Sequence, residues 1–200
     1  MQIFETVSDR DAYKKHLLAM GHERFNKLGL GPVCPEMGLV TFPEGNWGRP
    51  IVAAMAGEKL ILNGESGVGK STLLKRVTWS LTLKKLRPRG GYIPAMLNKM
   101  KSTEMSSYME WLLDGDVLVL DDLDKIRGTH YEGQSFLAAI NHYDVYNKPI
   151  VVTMNTNIGP FKDRIIEGGV PRDYADAIVS RLLNRATIHR VEGPDHRGVL

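Results

Sequence analysis

Short apolar runs alternate along the chain with longer segments in which apolar and polar residues are mixed. A run of four to eight apolar residues is typical of a buried strand, whereas apolar residues three or four positions apart are typical of a helix. The apolar runs predict five strands, at residues 58–63, 92–97, 116–120, 149–154 and 186–191. The mixed segments predict helices at 70–83, 102–113, 133–146 and 174–184. Strands that alternate with helices favour a parallel sheet covered on both faces, so the pattern predicts an α/β fold.

The amino-terminal residues follow a different pattern. Residues 8–28 have apolar side chains at loose helical spacing, and residues 29–48 are rich in Gly and Pro, which favours a loop. A segment of this length is too short to bury a core of its own. We therefore predict a helical appendage at 1–47, available for partner contact, and one α/β domain at 48–200. The chain stops soon after the last predicted strand, so we expect no full helical lid.

The composition excludes several classes of protein. The 200 residues are 42% hydrophobic and 24% charged, which is ordinary for a soluble domain. No apolar run approaches the roughly 20 residues that cross a bilayer, and the first residues lack the apolar stretch of a signal peptide. Cys34 is the only cysteine, so an intrachain disulfide and a cysteine-cluster zinc site are excluded. We predict a cytoplasmic protein that has no contact with membranes.

The distribution of charge is uneven although the net charge is only +3. Between Ser66 and Thr103 the sequence contains no Asp or Glu, yet it contains nine Lys and Arg residues. Such a stretch could meet the phosphates of DNA, or it could be a solvated face with Lys70 reserved for a nucleotide. The sequence leaves both interpretations open.

A glycine-rich loop is the strongest chemical signal in the sequence. Residues 64–71 read GESGVGKS and fit the pattern GxxxxGK[ST] between an apolar strand and a helix. In such a loop the backbone N–H groups surround phosphates, the lysine reaches the β and γ oxygens, and the serine hydroxyl binds Mg²⁺. We predict that ATP is bound by Gly64, Glu65, Ser66, Gly67, Val68, Gly69, Lys70, Ser71 and Thr72, with Ser71 as a metal ligand.

Acidic residues follow a second apolar strand, as the rest of such a site requires. The segment DVLVLDD ends in Asp121 and Asp122. We predict that Asp121 holds Mg²⁺ and that Asp122 orients and deprotonates the attacking water. A turn or helix-cap role for Asp122 remains open. A third strand, PIVVTM, is followed by Asn155, which we predict to position the lytic water, with Asn157 as the alternative.

Taken together, these motifs resemble the DnaC/IstB-like group of AAA+ ATPases, which includes bacterial and phage helicase loaders and transposition ATPases. The resemblance rests on GESGVGKST, VLVLDDLD and VVTMN, and extends to SRLLNR at 180–185 and GPDHR at 193–197. It implies an AAA+ three-layer sandwich with a five-stranded parallel sheet. It also implies that Arg181 reaches the γ-phosphate of a neighbouring subunit and that Arg197 contacts the nucleotide within its own subunit. Arg185 competes for the first role, and pairing of Arg181 with Asp173 or Asp176 is the structural alternative.

The resemblance implies an ATP-dependent loader that binds single-stranded DNA and a replicative helicase during replication initiation, as a homo-oligomer joined through a trans arginine. ATP and Mg²⁺ are the implied cofactors. The alternative within the family is a transposition ATPase that acts on duplex DNA with a transposase. Two other classes remain as competitors, a small-molecule kinase and a scaffold that binds ATP without hydrolysing it. The tandem aspartates favour water activation and argue against both.

Overall fold

The structure is a computed structural model that describes residues 19, 21–23, 25–30, 52–54, 56–102 and 104–195. Five parallel strands form one sheet: β1 (Lys59–Asn63), β2 (Pro88–Tyr92), β3 (Val117–Asp121), β4 (Ile150–Met154) and β5 (Ala186–Arg190). Six helices accompany them in the described residues from 56 onward: α1 (Lys70–Leu83), α2 (Ile93–Met100), α3 (Met105–Leu113), α4 (His130–Val145), α5 (Ile158–Glu167) and α6 (Arg172–Leu183).

The strands are arranged in the order β2-β3-β4-β1-β5, and every neighbouring pair is parallel. The carboxyl ends of β1, β3 and β4 therefore lie side by side at one edge of the sheet. In open parallel sheets, ligands bind in the crevice outside these ends, where the order of the strands reverses. The prediction of an α/β fold with a five-stranded parallel sheet is confirmed.

The sheet divides the apolar core into two layers because successive strand residues point to opposite faces. Leu60, Leu62 and Val119 pack with α1 on one face. Ile61 and Leu120 face the other side and join a larger cluster with residues of α2 to α6. Helices therefore cover both faces, which gives the expected three-layer sandwich.

The prediction of β2 at residues 92–97 was wrong. The strand occupies Pro88–Tyr92, and the predicted residues begin α2. Ile93, Met96, Leu97 and Met100 are buried at three- and four-residue spacing, as on one face of a helix. Glycine makes β2 possible: Gly90 has φ +112°, and a side chain there would run into the backbone oxygen of Val119 on β3.

Other predicted elements were correct in kind, with shifted limits. Helix α3 begins at Met105 instead of 102, and α6 begins at Arg172 instead of 174. Helix α4 begins at His130 instead of 133, because Thr129 caps it by accepting a hydrogen bond from the backbone N–H of Glu132. Helix α5 was not predicted. Its buried side chains, Phe161 and Ile165, are only one helical turn apart.

Only a small part of the predicted appendage lies within the described residues. Phe25, Leu28 and Leu30 are buried in the same apolar cluster as α1. The ring of Phe25 meets Trp79 of α1 edge-on at 6.0 Å. These residues therefore pack into the core layer between the sheet and α1, and the proposed boundary at residue 47 lies outside the described residues. None of the described helices has the length and apolar character needed to span a membrane.

Candidate nucleotide site

The glycine-rich loop connects the carboxyl end of β1 to the start of α1. Gly67 and Gly69 have φ values of 90° and 95°, a left-handed conformation that glycine adopts at little cost. Gly69 also precedes the first residue of α1, where no side chain caps the helix. The first N–H groups of a 14-residue helix are thus available to an anion, which the helix dipole also favours.

Lys70, the first residue of α1, lies against this loop. It is only 5% exposed, and its Nζ donates a hydrogen bond of 2.6 Å to the backbone oxygen of Glu65. A buried ammonium group is costly unless it is hydrogen-bonded, so this bond keeps the positive charge beside the loop. The arrangement suits a phosphate group bound by the loop.

Ser71 and Asp121, the two predicted metal ligands, are in direct contact. The Ser71 hydroxyl donates to Asp121 Oδ1 over 2.9 Å, and the Thr153 hydroxyl donates to the same oxygen over 2.7 Å. Burial raises the pKa of Asp121, and the two hydroxyl bonds oppose that shift without cancelling it. A buried carboxylate with a raised pKa gains from a nearby cation.

The donor set fits magnesium bound together with a nucleotide. Mg²⁺ is usually held by one or two carboxylates together with substrate phosphates, and seldom by a cage of protein ligands alone. Among the described residues no group of three or more His, Cys, Asp or Glu side chains could hold a metal. Ser71 and Asp121 would therefore supply the protein ligands, and the phosphates and water the others.

Asp122 occupies a turn directly after β3. Its φ of 59° is left-handed, and it precedes the short 3₁₀ helix Leu123–Lys125. Its backbone N–H donates to Thr153 Oγ1 over 2.7 Å, so one hydroxyl links both aspartates to β4. The turn role that the sequence left open is thus observed. The role of Asp122 in activating water stays a prediction.

Asn155 follows β4 at the same edge of the sheet. Its Nδ2 donates to both carboxylate oxygens of Asp124, at 3.0 and 3.3 Å. Asn157, the alternative, is the cap residue of α5. Both asparagines line the same cleft as the glycine-rich loop, and their roles in positioning water stay predictions.

A cleft of about 550 Å³ lies beside the glycine-rich loop. Three segments line it, residues 63–65, 155–157 and 190–193, together with Val68 and Pro160. Its volume is within the roughly 300–1,000 Å³ of small-molecule sites. Beyond the cleft, the Asp195 carboxylate lies so close to Gly67 that any side chain at residue 67 would collide with it.

Several residues of the site were not singled out by the sequence analysis. Thr153 connects β4 to both aspartates, and Asn63 Nδ2 holds the loop after β4 by donating to Thr156 O over 2.8 Å. Arg190 lines the cleft, and Asp195 covers Gly67. A polar residue within the apolar run PIVVTM is a usable signal for Thr153. The other three depend on which loops meet at the sheet edge.

Arg181 lies far from the glycine-rich loop of its own chain. It is in the last turn of α6, and β5 begins after this helix by pairing with Lys59 at the start of β1. The loop follows the opposite end of β1, about 13 Å further along the strand. Arg181 Nε donates a hydrogen bond to Asn141 Oδ1 over 2.6 Å. Within the described residues Arg181 forms no ion pair with Asp173 or Asp176. Arg197 lies outside the described residues.

The acid-free basic stretch is partly neutralised by acids from elsewhere in the chain. Arg87 pairs with Asp114 and Asp116, at 2.9 and 3.1 Å, and Lys101 pairs with the fully buried Glu132 at 3.0 Å. Arg89 Nε donates to the backbone oxygen of Trp111. These three cations have structural partners, so the charge available for a DNA contact is smaller than the sequence implies.

Solved structures of replication proteins have the same fold. A DnaI crystal structure matches with a TM-score of 0.64 at 20% identity, covering 80% of this chain and 89% of that one. The replication initiator DnaA bound to AMPPCP and single-stranded DNA gives 0.63 at 18%, covering 80% and 51%. The DnaC helicase loader gives 0.56 at 19%, covering 77% and 96%. At these identities the likeness establishes the fold.

Sequence relatives lead to the same family. Two chromosomal replication initiator proteins DnaA match: that of Onion yellows phytoplasma (strain OY-M) is 23% identical over 155 residues, and that of Ruegeria pomeroyi is 26% identical over 110. These matches cover 70% and 52% of this chain but only 31% and 24% of the relatives, so the chain spans about a third of their length or less. The family model "Bacterial DnaA ATPAse domain" matches residues 51–166. This match confirms the prediction of an AAA+ ATPase domain, and the chain belongs to the bacterial DnaA ATPase domain family.

Proposed function

We propose that this chain is an ATP-dependent replicative helicase loader, which assembles on single-stranded DNA and delivers a helicase during replication initiation. The observation that carries the proposal is the contact of Ser71 with Asp121 beside an uncapped helix start, in a chain of the DnaA ATPase domain family. The names of the DnaI and DnaC structures, with folds matching over most of their length, support the choice of loader.

The chain supplies each group that hydrolysis requires. The loop from Gly64 to Lys70 would bind the phosphates, and Ser71 with Asp121 would hold Mg²⁺, which stabilises charge on the phosphate oxygens. Asp122 takes the proton of the attacking water, and Asn155 helps to orient that water. Catalysis of phosphoryl transfer depends mainly on such positioning and charge stabilisation.

Arg181 acts in trans in this proposal. Arg181 lies near the amino-terminal ends of the strands, a full strand length from the glycine-rich loop of the same chain. A contact between Arg181 and a bound phosphate therefore requires a second copy of the chain. An arginine supplied in this way is worth about 10³ to 10⁵ in rate in well-studied NTPases. Turnover per molecule should therefore rise with protein concentration.

DNA binding is proposed from the family likeness and from the cations that remain exposed. Lys84 and Lys99 are exposed side chains within the basic stretch. Contacts of such cations with phosphates weaken as salt is added, because counterions compete. The DnaA structure that contains single-stranded DNA supports this choice of nucleic acid. The proposed setting is the cytoplasm of a bacterial or phage-infected cell.

The test measures ATP turnover against protein concentration, with and without single-stranded DNA, for the wild type and Arg181→Ala. We expect cooperative turnover that DNA stimulates and that the substitution lowers by at least 10³-fold. Arg172→Ala, which removes an exposed arginine from the same helix, is the matched control and should retain activity.

Different results would refute the trans arginine, the loader role and the hydrolysis of ATP. Turnover per molecule that is flat with concentration, together with a silent Arg181→Ala, would refute the trans arginine. Stimulation by long duplex DNA in preference to single strands would replace the loader with a transposition-type ATPase. Transfer of labelled phosphate to a metabolite instead of water would indicate a kinase.

A further inference from the structure

The segment that contains Arg181 is held along one face of α4. Three polar side chains, spaced three residues apart, each bind one residue of this segment. Asn141 accepts from Arg181 Nε over 2.6 Å, Asp144 accepts from Asn184 Nδ2 over 2.9 Å, and Asn147 accepts from Arg185 Nη1 over 3.3 Å. The first two partners lie on α4, and Asn147 follows its end.

Asn141 and the backbone restrict the guanidinium group of Arg181 on one side. Besides the Nε bond to Asn141, Nη1 donates to the backbone oxygen of Ala177 over 3.2 Å. A guanidinium group has five N–H donors in a fixed plane, so these two bonds leave three donors, on Nη1 and Nη2. Nη2 makes no hydrogen bond within the described part of the chain, so its two donors are available to a further acceptor.

The nearby carboxylate is occupied by other groups. Asp144 binds the Nζ of Lys59, which is buried, and Lys59 also donates to the backbone oxygen of Asn184 over 2.9 Å. Burial alone would raise the pKa of Asp144, but bonds from Lys59 and Asn184 and the charges of Lys59 and Arg181 outweigh it and lower that pKa. Asp144 is therefore ionised at neutral pH, and its direct partners are Lys59 and Asn184.

The acceptor for Arg181 is thus a neutral amide. A carboxylate in that place would form an ion pair and cancel the charge that a phosphate requires. An amide fixes the plane of the guanidinium group and, unlike a carboxylate, places no further negative charge beside it. A long side chain that is already fixed also loses less conformational freedom when it makes its contact.

We propose that Asn141 is the positioning residue for Arg181, orienting the guanidinium group towards the nucleotide of a second copy of this chain without neutralising it. This inference rests on the proposed trans role of Arg181. In this inference Asn141 acts only through the side chain of Arg181, to which it is hydrogen-bonded.

The experiment mixes two kinds of full-length subunit in the presence of ATP and single-stranded DNA. The acceptor carries Arg181→Ala and retains an intact nucleotide site. The donor carries Lys70→Ala, which removes its own phosphate contact, and retains Arg181. ATP is therefore turned over only at the nucleotide site of the acceptor, with the arginine that the donor supplies. A further substitution in the donor cannot change turnover through the donor's own nucleotide site, because that site is already inactive.

Two donor variants isolate the role of Asn141. With Asn141→Ala in the donor we expect turnover to fall about 3- to 10-fold, the factor expected for freeing one long side chain. With Asn141→Asp the donor still offers an acceptor to Arg181 Nε, so we expect it to stay folded, yet the ion pair with Arg181 should make it restore less turnover than the Asn141 donor. A purely structural role for Asn141 instead predicts that the Asn141→Asp donor restores at least as much turnover as the Asn141 donor.

The controls distinguish the trans role of Arg181 from the positioning role of Asn141. A donor with Arg172→Ala should restore turnover fully, and thermal unfolding of every donor checks that it is folded. If a donor with intact Asn141 restores nothing, the trans arginine itself is refuted and this inference with it. If donors with Asn141→Ala and Asn141→Asp restore turnover as well as the Asn141 donor does, the trans arginine stands and the positioning role is overturned.

Discussion

Replacing Thr153 with valine removes one hydroxyl group from the centre of the site and changes the shape of the side chain little. That hydroxyl donates to Asp121 Oδ1 over 2.7 Å and accepts from the backbone N–H of Asp122 over 2.7 Å. Thr153 is fully buried, so water cannot replace either bond. The substitution leaves the N–H of Asp122 without its partner and Asp121 with one donor fewer.

The cost follows from these two bonds. An unsatisfied buried N–H costs about 1–3 kcal/mol, and a lost bond to a charged group about 1.5–3 kcal/mol. The buried methyl group of valine offsets about 0.8 kcal/mol. We expect the free energy of unfolding of Thr153→Val to fall by about 2–5 kcal/mol, or roughly 4–20 °C in Tm for a chain of this size.

The same change has a signature in pH. The hydroxyl bond lowers the pKa of Asp121, so its loss raises a pKa that burial already raises. Mg²⁺ binds the ionised carboxylate, so the acid limb of ATP turnover should move to higher pH in Thr153→Val. An acid whose pKa is raised in the folded state lowers the stability of that state progressively as pH rises from its unfolded pKa to its folded pKa. The loss of stability should therefore be larger at pH 8 than at pH 5.

Urea unfolding at both pH values and a pH profile of ATP turnover test this reasoning. Thr153→Ser retains the hydroxyl and should keep the position of the acid limb, although it loses a buried methyl group. If Thr153→Val unfolds like the wild type and its acid limb does not move, the hydroxyl does not bridge the aspartates as described.

Three further predictions concern the nucleotide site and the ion pair beside the segment that contains Arg181. Asp121→Asn keeps an oxygen for both hydroxyl bonds but removes the buried charge, so thermal unfolding without nucleotide should be unchanged or occur at higher temperature, while ATP turnover falls about 100-fold or more. Lys59→Met leaves Asp144 without its cation and should cost about 3 kcal/mol in urea unfolding, most of which the double variant Lys59→Met/Asp144→Leu should recover. Gly67→Ala places a side chain against the Asp195 carboxylate at a residue with a left-handed φ, so a fluorescent-nucleotide titration should show weaker ATP binding. Adding Asp195→Ala should restore binding only in part, because about 1 kcal/mol of backbone strain at residue 67 remains.

The parts of the site that depend on local chemistry could be predicted from the sequence. The glycine-rich loop is one continuous segment, and α1 has the predicted limits, Lys70–Leu83. Strands β1, β3 and β4 were placed to within one residue at either end because they are buried on both faces and consist mainly of apolar residues. The sequence also predicted that Ser71 and Asp121 act together as metal ligands, and the structure places their side chains in contact over 2.9 Å.

Only the tertiary structure determined the features that depend on which segments meet. Pro88–Tyr92 has little strand propensity of its own, and it forms β2 because glycine lets its backbone lie against Val119 of β3. Thr153 became a partner of both aspartates, and Asn141 of Arg181, through packing between residues 31 to 40 positions apart. Hydrophobic periodicity predicts which face of a helix or strand is buried, whereas a hydrogen bond between distant segments has no periodic pattern in the sequence. The sequence by itself therefore determined the residues of the glycine-rich loop and of the strand ends beside it, and the packing of α4 against α6 determined how Arg181 is held.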